Sequence, residues 1–581
     1  MPGPAHAKTR PASHKDPVKE RQGPDANPLP SAPFRGSSGM RIRALPTILF
    51  VALCLTGGAA SGGSKTEPPT VRTPPTFFVT GHGWGHGLGM SQYGAYGYAQ
   101  HGWTYDRIIK HYYTGTTIGQ APIGRVRVLL ADKAKQVQIA SKSTFQVVDG
   151  SGAKHSLDAG NYAVGSSFRV TDPSAPQTKA QALGYPLEFR AGGAALSLNG
   201  RAYRGSLQIL KLDKGKVRVV NVVGLDFYLR GVVPSEMPKD WAPEALKAQA
   251  VAARSYAVSH LHPAGGFDLY PDTRDQVYLG IPHEAPTTTA AVTATAGQVA
   301  LYKGKVASTY FFSTSGGRTA SIQDIYPGSP PVPYLVSVPD PYDSISPYHN
   351  WGPYKFSSRM IARKLKVPGK LLDARTVATP SGRVQSVVMT GAKGDVTATG
   401  SAVRSAFGLR STWFQVGVLA LGAPAAPVTF GKSTALAGTA RGVRSVDLQQ
   451  RDGDGAWKTV STLTPRGGAV APKVKLDQSS KFRLVVGEIA SDAIAVAVAP
   501  SVTLQLAQSV NGFAGRVRPA AAGTTVTLQR QVGAGWRVAL RVQTTAQGRY
   551  VAPMDPVPGT YRARVSTKGL SPGFSRLLAV S

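Results

Sequence analysis

Hydrophobic and polar residues alternate with period two over much of residues 125–223. Arg125–Leu130, Val137–Ala140, Phe145–Val148, Leu187–Arg190, Leu207–Leu212 and Val217–Val222 alternate in this way and are separated by turn-forming residues, so they read as strands. The period then changes. Leu225–Val233 reads as a short helix capped near Asp226. Pro243 sits in the first turn of the next helix, where its missing N–H costs little, and that helix runs to about Leu261 with Leu246, Ala250, Ala253 and Ala257 able to line a buried face. Between the two helices a short loop pinned by Pro234 and Pro238 carries Glu236. Further on, Gln298–Tyr302 and Val306–Phe312 read as a hairpin turning at Lys303-Gly304-Lys305. The small-residue loop STSGGRT (313–319) follows, and Thr397–Phe414 holds a helix, SAVRSAFGL, and a short strand. Upstream, Phe77–Thr80 is a short strand, glycine recurs at every second position from Gly81 to Gly89, and Ser91 to Tyr113 reads as helical with Ile108, Ile109 and Tyr112 on one side.

Residues 424–581 repeat themselves. VDLQQRDGDGAWKTV (446–460) matches VTLQRQVGAGWRVAL (526–540), and SKFRLVV (480–486) matches GTYRARV (559–565). Each copy, 424–500 and 501–581, has short alternating strands, a tryptophan after a glycine turn (Trp457, Trp536) and an aromatic on a late strand (Phe482, Tyr561). These features predict two small all-β sandwiches of immunoglobulin-like type without the disulfide.

At 581 residues the chain has room for three or more domains. Lys and Arg total 66 against 31 Asp and Glu, a net charge of +35, so an anionic partner is expected. The single cysteine, Cys54, rules out an internal disulfide and a cysteine-based zinc site. It lies in the apolar run LPTILFVALCLTGGAA, which follows Met40, Arg41 and Arg43 and runs into small residues. Residues 40–62 therefore read as a secretory signal peptide, with an uncleaved membrane anchor as the alternative. Leu53 stands where a lipoprotein cysteine needs a small residue. Residues 1–39 read as disordered, or as a start site placed too far upstream, and 63–76 as a Pro/Thr linker. Export argues against nucleic acid and for an extracellular polymer, with the protein secreted or cell-wall associated.

A lone carboxylate flanked by Pro234, Met237 and Trp241, just before a helix, suits a general acid whose pKa is raised by loss of water. The same residues also allow a plain surface-loop glutamate. The run YLRGVVPSEMPKDWAPEALKAQAVAARSYAV (228–258) resembles the SpoIID/LytB family of bacterial cell-wall proteins. So do DTRDQVYLG (272–280), TATAGQVALYKGKVASTYFFSTSGGRTAS (293–321) and GHGWGHGLGMSQYGA (81–95), and together the resemblance covers roughly residues 77–420. It implies a mixed α+β catalytic domain, SpoIID-like, with a long helix against curved sheets, ahead of the two sandwiches. In the sporulation branch of that family the protein is a lytic transglycosylase that cleaves peptidoglycan glycan strands and leaves anhydro-muramic ends. The LytB branch is described as a modifier of a wall amidase. The family's catalytic glutamate falls on the Ser-Glu-Met step, which is Glu236 here. The chemistry fits one carboxyl: it protonates the leaving oxygen, the sugar's own C6 hydroxyl attacks C1, and the same carboxylate takes that proton. Ordinary glycoside hydrolysis needs a second carboxylate; Asp240, Asp272 and Asp275 are the candidates.

Other residues carry two readings each. Gln249, Arg254, Ser255 and Tyr256 lie on the long helix and either line a glycan groove or belong to its core. Ser313, Ser315 and Gly316 supply hydroxyls and backbone N–H groups to a sugar, or form a hairpin exit turn; Gln276 and Tyr278 are similar candidates. In the glycine–histidine stretch the spacing excludes a dinucleotide loop, because the third glycine of G-x-G-x-x-G falls on His86, Leu88 or Met90. His82 and His86 have a helical metal spacing, but alternating glycine disfavours a helix there. His86 or Gln92 reaching substrate is the preferred reading, a purely structural knot the alternative. Some family members bind zinc through a Thr-His-Cys-Gln run; here it is Thr273-Arg274-Asp275-Gln276, so no zinc and no other cofactor is expected. The Gly-His motif usually closes the family domain and here opens it, as in a circular permutation. The expected partners are peptidoglycan glycan strands, anionic wall polymers and, on the alternative reading of a non-catalytic amidase enhancer, a wall amidase.

Overall fold

A computed structural model describes residues 70–171 and 179–581. The expected signal peptide, Cys54, residues 1–39 and the first half of the linker lie outside the described residues. The described chain forms two compact units. One holds Arg125–Glu236 and His260–His283; the other holds residues 70–124, Met237–Ser259 and Glu284–Ser581.

The first unit is built on antiparallel sheets. Six strands pair in the order Arg125–Ala134, Lys216–Gly224, Ser206–Leu212, Leu187–Arg190, Phe145–Val148, Lys154–Leu157. Four more pair as Arg201–Tyr203, Leu196–Leu198, Val137–Ser141, Gly160–Val164. Strand expectations hold here because alternation and burial coincide: Leu207 and Ile209, or Phe145 and Val147, point inward while their neighbours do not. The strand ending at Gly224 runs directly into the Leu225–Glu236 helix, which buries Tyr228, Leu229, Val232 and Val233. The expected end at Val233 is wrong by a turn. Pro234 lies inside the last turn and removes one backbone donor there, and the Ser235 hydroxyl donates to the Gly231 carbonyl at 3.1 Å. Glu236 is thus a helix residue, not a loop residue. Gly231 is required where it stands: a Cβ there meets the Tyr278 ring at 2.8 Å.

In the second unit the Pro243–Ser259 helix is buried nearly all round, from Ala245 to Ala257, rather than along one face. Gln92–Gln100, Tyr105–Tyr112, Pro286–Ala294 and the Gln298–Tyr302 strand pack against it. The helix expected from Ser91 to Tyr113 is therefore two helices, broken at Gly102, whose φ of +76° suits glycine. The expected hairpin is also shorter. Only Lys305–Val306 returns along Gln298–Tyr302, and Phe311–Phe312 pairs in parallel with Met90–Ser91. A further sheet runs Asn350–Phe356, Thr76–His82, Phe414–Pro424, Gly438–Arg441, Ala469–Val470. Its Phe414–Pro424 strand is continuous across the expected boundary near residue 420. Val416 and Val418 lie in one core with Phe77 and Val79, and Leu419 and Leu421 lie in another with Leu448, Phe482 and Leu484. A three-stranded sheet, Leu371–Ala378, Val384–Gly391, Gly394–Thr399, with the Ser358–Lys364 and Gly400–Phe407 helices, was not anticipated apart from the last helix. The two C-terminal repeats are all-β. Their matching sheets run Lys458–Leu463, Val446–Asp452, Ser480–Val486 and Gly535–Gln543, Thr525–Val532, Gly559–Val565.

Candidate functional site

Glu236 is the last residue of its helix and is half-buried. Its Oε1 accepts a hydrogen bond from the Val277 N–H at 3.2 Å. Burial drives its carboxyl up to about 7, against the smaller opposing effect of that N–H. A carboxyl poised there populates both acid and base near neutral pH, as proton transfer in both directions requires.

The segment that supplies this N–H is braced on both sides. Tyr228 donates its hydroxyl to Gln276 Oε1 at 3.2 Å, and Tyr278 donates to Asn221 Oδ1 at 2.9 Å. Asn221 in turn donates to the Arg204 and Ser206 carbonyls. Gln276 and Tyr278 are buried, so this geometry makes them positioning residues for Val277 rather than surfaces for a sugar. Of the other acids in the unit, Asp272 is gripped by Arg274 at 2.6 and 2.8 Å. Asp275 faces His262 Nε2 at 3.2 Å and accepts from the Tyr270 N–H. Arg274 lies over the Tyr270 ring, and a guanidinium is no metal ligand. Among the described residues no group of three or more His, Cys, Asp or Glu side chains is arranged to hold a metal ion.

The remaining candidates belong to the second unit. Arg254 is fully buried and donates to the Gln298 carbonyl at 2.9 Å, with longer contacts to Ala250 and Val292 carbonyls. Ser255 donates to the Val251 carbonyl and accepts from the Ala300 N–H. Both serve the core of a helix surrounded by other elements, so the groove reading is corrected for them. Tyr256 is half-buried and sets its ring edge-on to Tyr310 and Phe311. Gln92 and Gln249 come together, Nε2 to Oε1 at 3.5 Å, and Gln249 is wholly buried.

The glycine–histidine stretch threads between chain segments with no space for side chains: a Cβ on Gly89 falls 2.0 Å from the Tyr310 carbonyl oxygen. His86 is spent on the backbone. Its Nδ1 accepts from Leu88 N–H, its Nε2 meets the Phe311 carbonyl at 3.1 Å, and burial lowers its pKa to about 4. A neutral ring with both nitrogens engaged is a structural knot, which corrects the substrate-reaching role expected of it. In the STSGG loop, Ser315 is buried and accepts from Gly317 N–H, and the Gly316 N–H donates to Asp343 Oδ2 at 2.6 Å. Ser313 alone of the three candidates is half-buried, its hydroxyl beside that of Thr314.

Sequence reasoning missed the acids behind this loop. Asp340 and Asp343 are both wholly buried. Asp343 Oδ1 lies 2.5 Å from His349 Nδ1. Tyr112 donates to Asp340 Oδ1 at 2.9 Å, and burial, then the charge of Asp343, pushes the Asp340 carboxyl up to about 7. Arg383, fully buried, donates to the Ser315 and Arg318 carbonyls and so ties down both ends of the Gly-Gly turn. Only their confinement among prolines in PDPYD hints at the acids; nothing local marks Arg383.

Residues 213–302 match the family model described as SpoIID, stage II sporulation protein. The stretch contains Glu236, Gln276 and Tyr278 but neither the Gly-His motif nor the STSGG loop. The stage II sporulation protein D of Bacillus amyloliquefaciens is 34% identical over 217 residues, 34% of this chain and 61% of that protein. This part of the chain is thus similar to the SpoIID/LytB family. The amidase enhancer of Bacillus subtilis is 36% identical over 149 residues, 26% of this chain and 20% of its own. An uncharacterised protein of Brachyspira hyodysenteriae is 41% identical over 145 residues, covering 24% of this chain and 39% of that one. The chain thus spans less than two thirds of the length of each of these relatives. The human OSCAR ligand-binding domain, a solved structure, aligns at 15% identity over 27% of this chain and 94% of that one, with a TM-score of 0.12, too slight a likeness to bear on the fold.

Proposed function

We propose that the protein cleaves peptidoglycan glycan strands as a lytic transglycosylase, with Glu236 as acid and then base. The observation that carries this is a half-buried carboxyl at a helix end, held by the Val277 N–H and driven up to about 7. In the first half of the reaction the protonated carboxyl gives its proton to the glycosidic oxygen as the C1–O bond breaks. In the second half the muramyl C6 hydroxyl attacks C1 and its proton returns to the carboxylate. The product carries a 1,6-anhydro ring, and no water is consumed. Gln276 and Tyr278 act through Val277, which they brace from either side. On this reading the protein is exported, acts at the wall, and uses its two C-terminal immunoglobulin-like sandwiches as spacers or binding modules. Among the described residues no helix is long and apolar enough to cross a membrane.

A second reading is a non-catalytic amidase enhancer, supported by the relative of that name and by the loss of family zinc-ligand types at Arg274 and Asp275. Digestion of purified, peptide-free glycan strands by the full chain separates the two. Anhydro-muramic ends that vanish with Glu236→Gln support the enzyme. Stimulation of a wall amidase with no products of its own supports the enhancer. Reducing ends instead point to hydrolysis with Asp240, Asp272 or Asp275 as the second carboxylate.

A further inference from the structure

The two C-terminal repeats share one device and differ around it. In the first, Arg483 Nε donates to Gln449 Oε1 at 2.9 Å, and its guanidinium lies 4.2 Å from the Trp457 ring centroid. In the second, Arg562 Nε donates to Gln529 Oε1 at 2.9 Å and lies 4.0 Å from the Trp536 centroid, with Phe574 at 4.6 Å. The register is the same, Gln449 opposite Arg483 and Gln529 opposite Arg562. Strand alternation puts Tyr561, Ala563 and Val565 inward, so Arg562 and Arg564 share the outward face.

Two residues along that face the copies part. In the first, Asp447 sits between Thr462 and Val485, and the Thr462 hydroxyl donates to Asp447 at 2.6 Å. In the second, Thr527 sits between Arg541 and Arg564. An acid has become neutral and both its neighbours have become arginine. Phe574, 47% exposed, lies opposite Arg564 on the next strand. The whole repeats follow the same trend. Residues 424–500 hold ten Lys and Arg against six acids, whereas 501–581 hold ten against Asp555 alone. Three guanidiniums on one face with no acid beside them repel one another, and burial together with Arg564 lowers the pKa of Arg562.

We propose that this face of the second repeat, Arg541, Arg562 and Arg564 with Trp536 and Phe574, is a docking surface for a linear sugar polymer bearing an anionic group on each repeat unit. Sugar rings lie on the aromatic faces, and carboxylate or phosphodiester oxygens pair with the guanidiniums, which present matching N–H forks. Arg541 and Arg564 flank one strand, roughly 10 Å apart at two inter-strand spacings, so a chain crossing the sheet meets successive charges. The first repeat keeps the Trp–Arg stack without the added cations and serves as the built-in control. The choice of a sugar polymer rests on the wall-facing half of the reading above and not on Glu236.

The test uses the full chain and four probes at low and high salt: a purified teichoic acid, a polyuronate, a neutral glycan and duplex DNA. The variant Thr527→Asp/Arg541→Thr/Arg564→Val imports the residues of the first repeat. It is expected to weaken binding of the two anionic sugar polymers by about tenfold or more at low salt, less at high salt. Glycan-strand digestion, which reads Glu236, is expected to stay unchanged. If the triple variant shifts the melting temperature, the single exposed change Arg541→Glu carries the test, with a loss of at least about threefold expected. Unchanged binding of both anionic sugar polymers overturns the proposal. So does equal affinity for duplex DNA, which reports attraction to any polyanion. A neutral glycan bound as tightly as the charged ones overturns it as well.

Discussion

Among the described residues two carboxyl groups are driven to about 7, and their surroundings differ. Glu236 ends a helix in the first unit, half-buried, with burial as the cause and a peptide N–H as the counterweight. Asp340 is wholly buried in the second, where burial is joined by the neighbouring Asp343 charge and opposed by the hydroxyls of Ser315, Tyr112 and Ser91. The shift alone does not mark a catalytic group. On the function proposed above the difference lies in exposure: Glu236 is half-buried, whereas Asp340 is enclosed by the fold.

The contrast breaks most easily at the two side chains themselves. Glu236→Gln is expected to lower anhydro-product formation by about 10²–10⁴-fold, while Asp340→Asn leaves it within about threefold. Product analysis on peptide-free strands checks both, and comparable losses in the two variants would falsify the division of roles. Next in size is the packing behind the STSGG loop. Asp340→Leu leaves the Tyr112 hydroxyl buried without its acceptor and is expected to cost about 1–3 kcal/mol in urea unfolding. Asp343→Asn, which weakens the contacts to Gly316 N–H and His349, is expected in the same range.

The pH dependence follows with its sign. Both carboxyls hold protons more tightly when folded than at their ordinary values of 4.5 and 3.8. Their contribution to stability is therefore full below those values and is lost as pH rises through about 7. Melting temperature is expected to fall between pH 5 and 8, and Glu236→Gln and Asp340→Asn should each flatten part of that fall. Glycan cleavage, limited by the protonated acid, should decline over the same window in which Glu236 ionises; a rate rising through pH 8 would contradict an acid role. The smallest effect is expected at the surface. Asp272→Asn breaks an exposed pair with Arg274 and should change stability by under about 0.5 kcal/mol without altering products. A loss of turnover there would revive the hydrolase reading.

Legibility in the sequence tracked how local each cause is. The strands from Arg125 to Gly224 were readable because one face of each is buried and side-chain direction repeats every two residues. Gly400–Phe407 was readable too, closed by Thr399 at its cap and Gly408 in the left-handed region. The Leu225–Glu236 helix carries Pro234 within its last turn, so a local reading of the proline stopped it short. The Pro243–Ser259 helix defeated a one-face reading because other elements close in on every side.

By itself the sequence determined the period of each segment, the family motif around Glu236, the tandem C-terminal repeat and the excess of positive charge. Those are properties of neighbouring residues and of composition. Only the tertiary structure decided that His86, Arg254 and Ser255 serve backbone groups, that Asp340 and Asp343 lie side by side, and that one strand from Phe414 to Pro424 joins two cores. It alone set the environment of each carboxyl, because desolvation and hydrogen bonding depend on which distant segments arrive around a group, and the chain does not carry that information in the residues on either side of it.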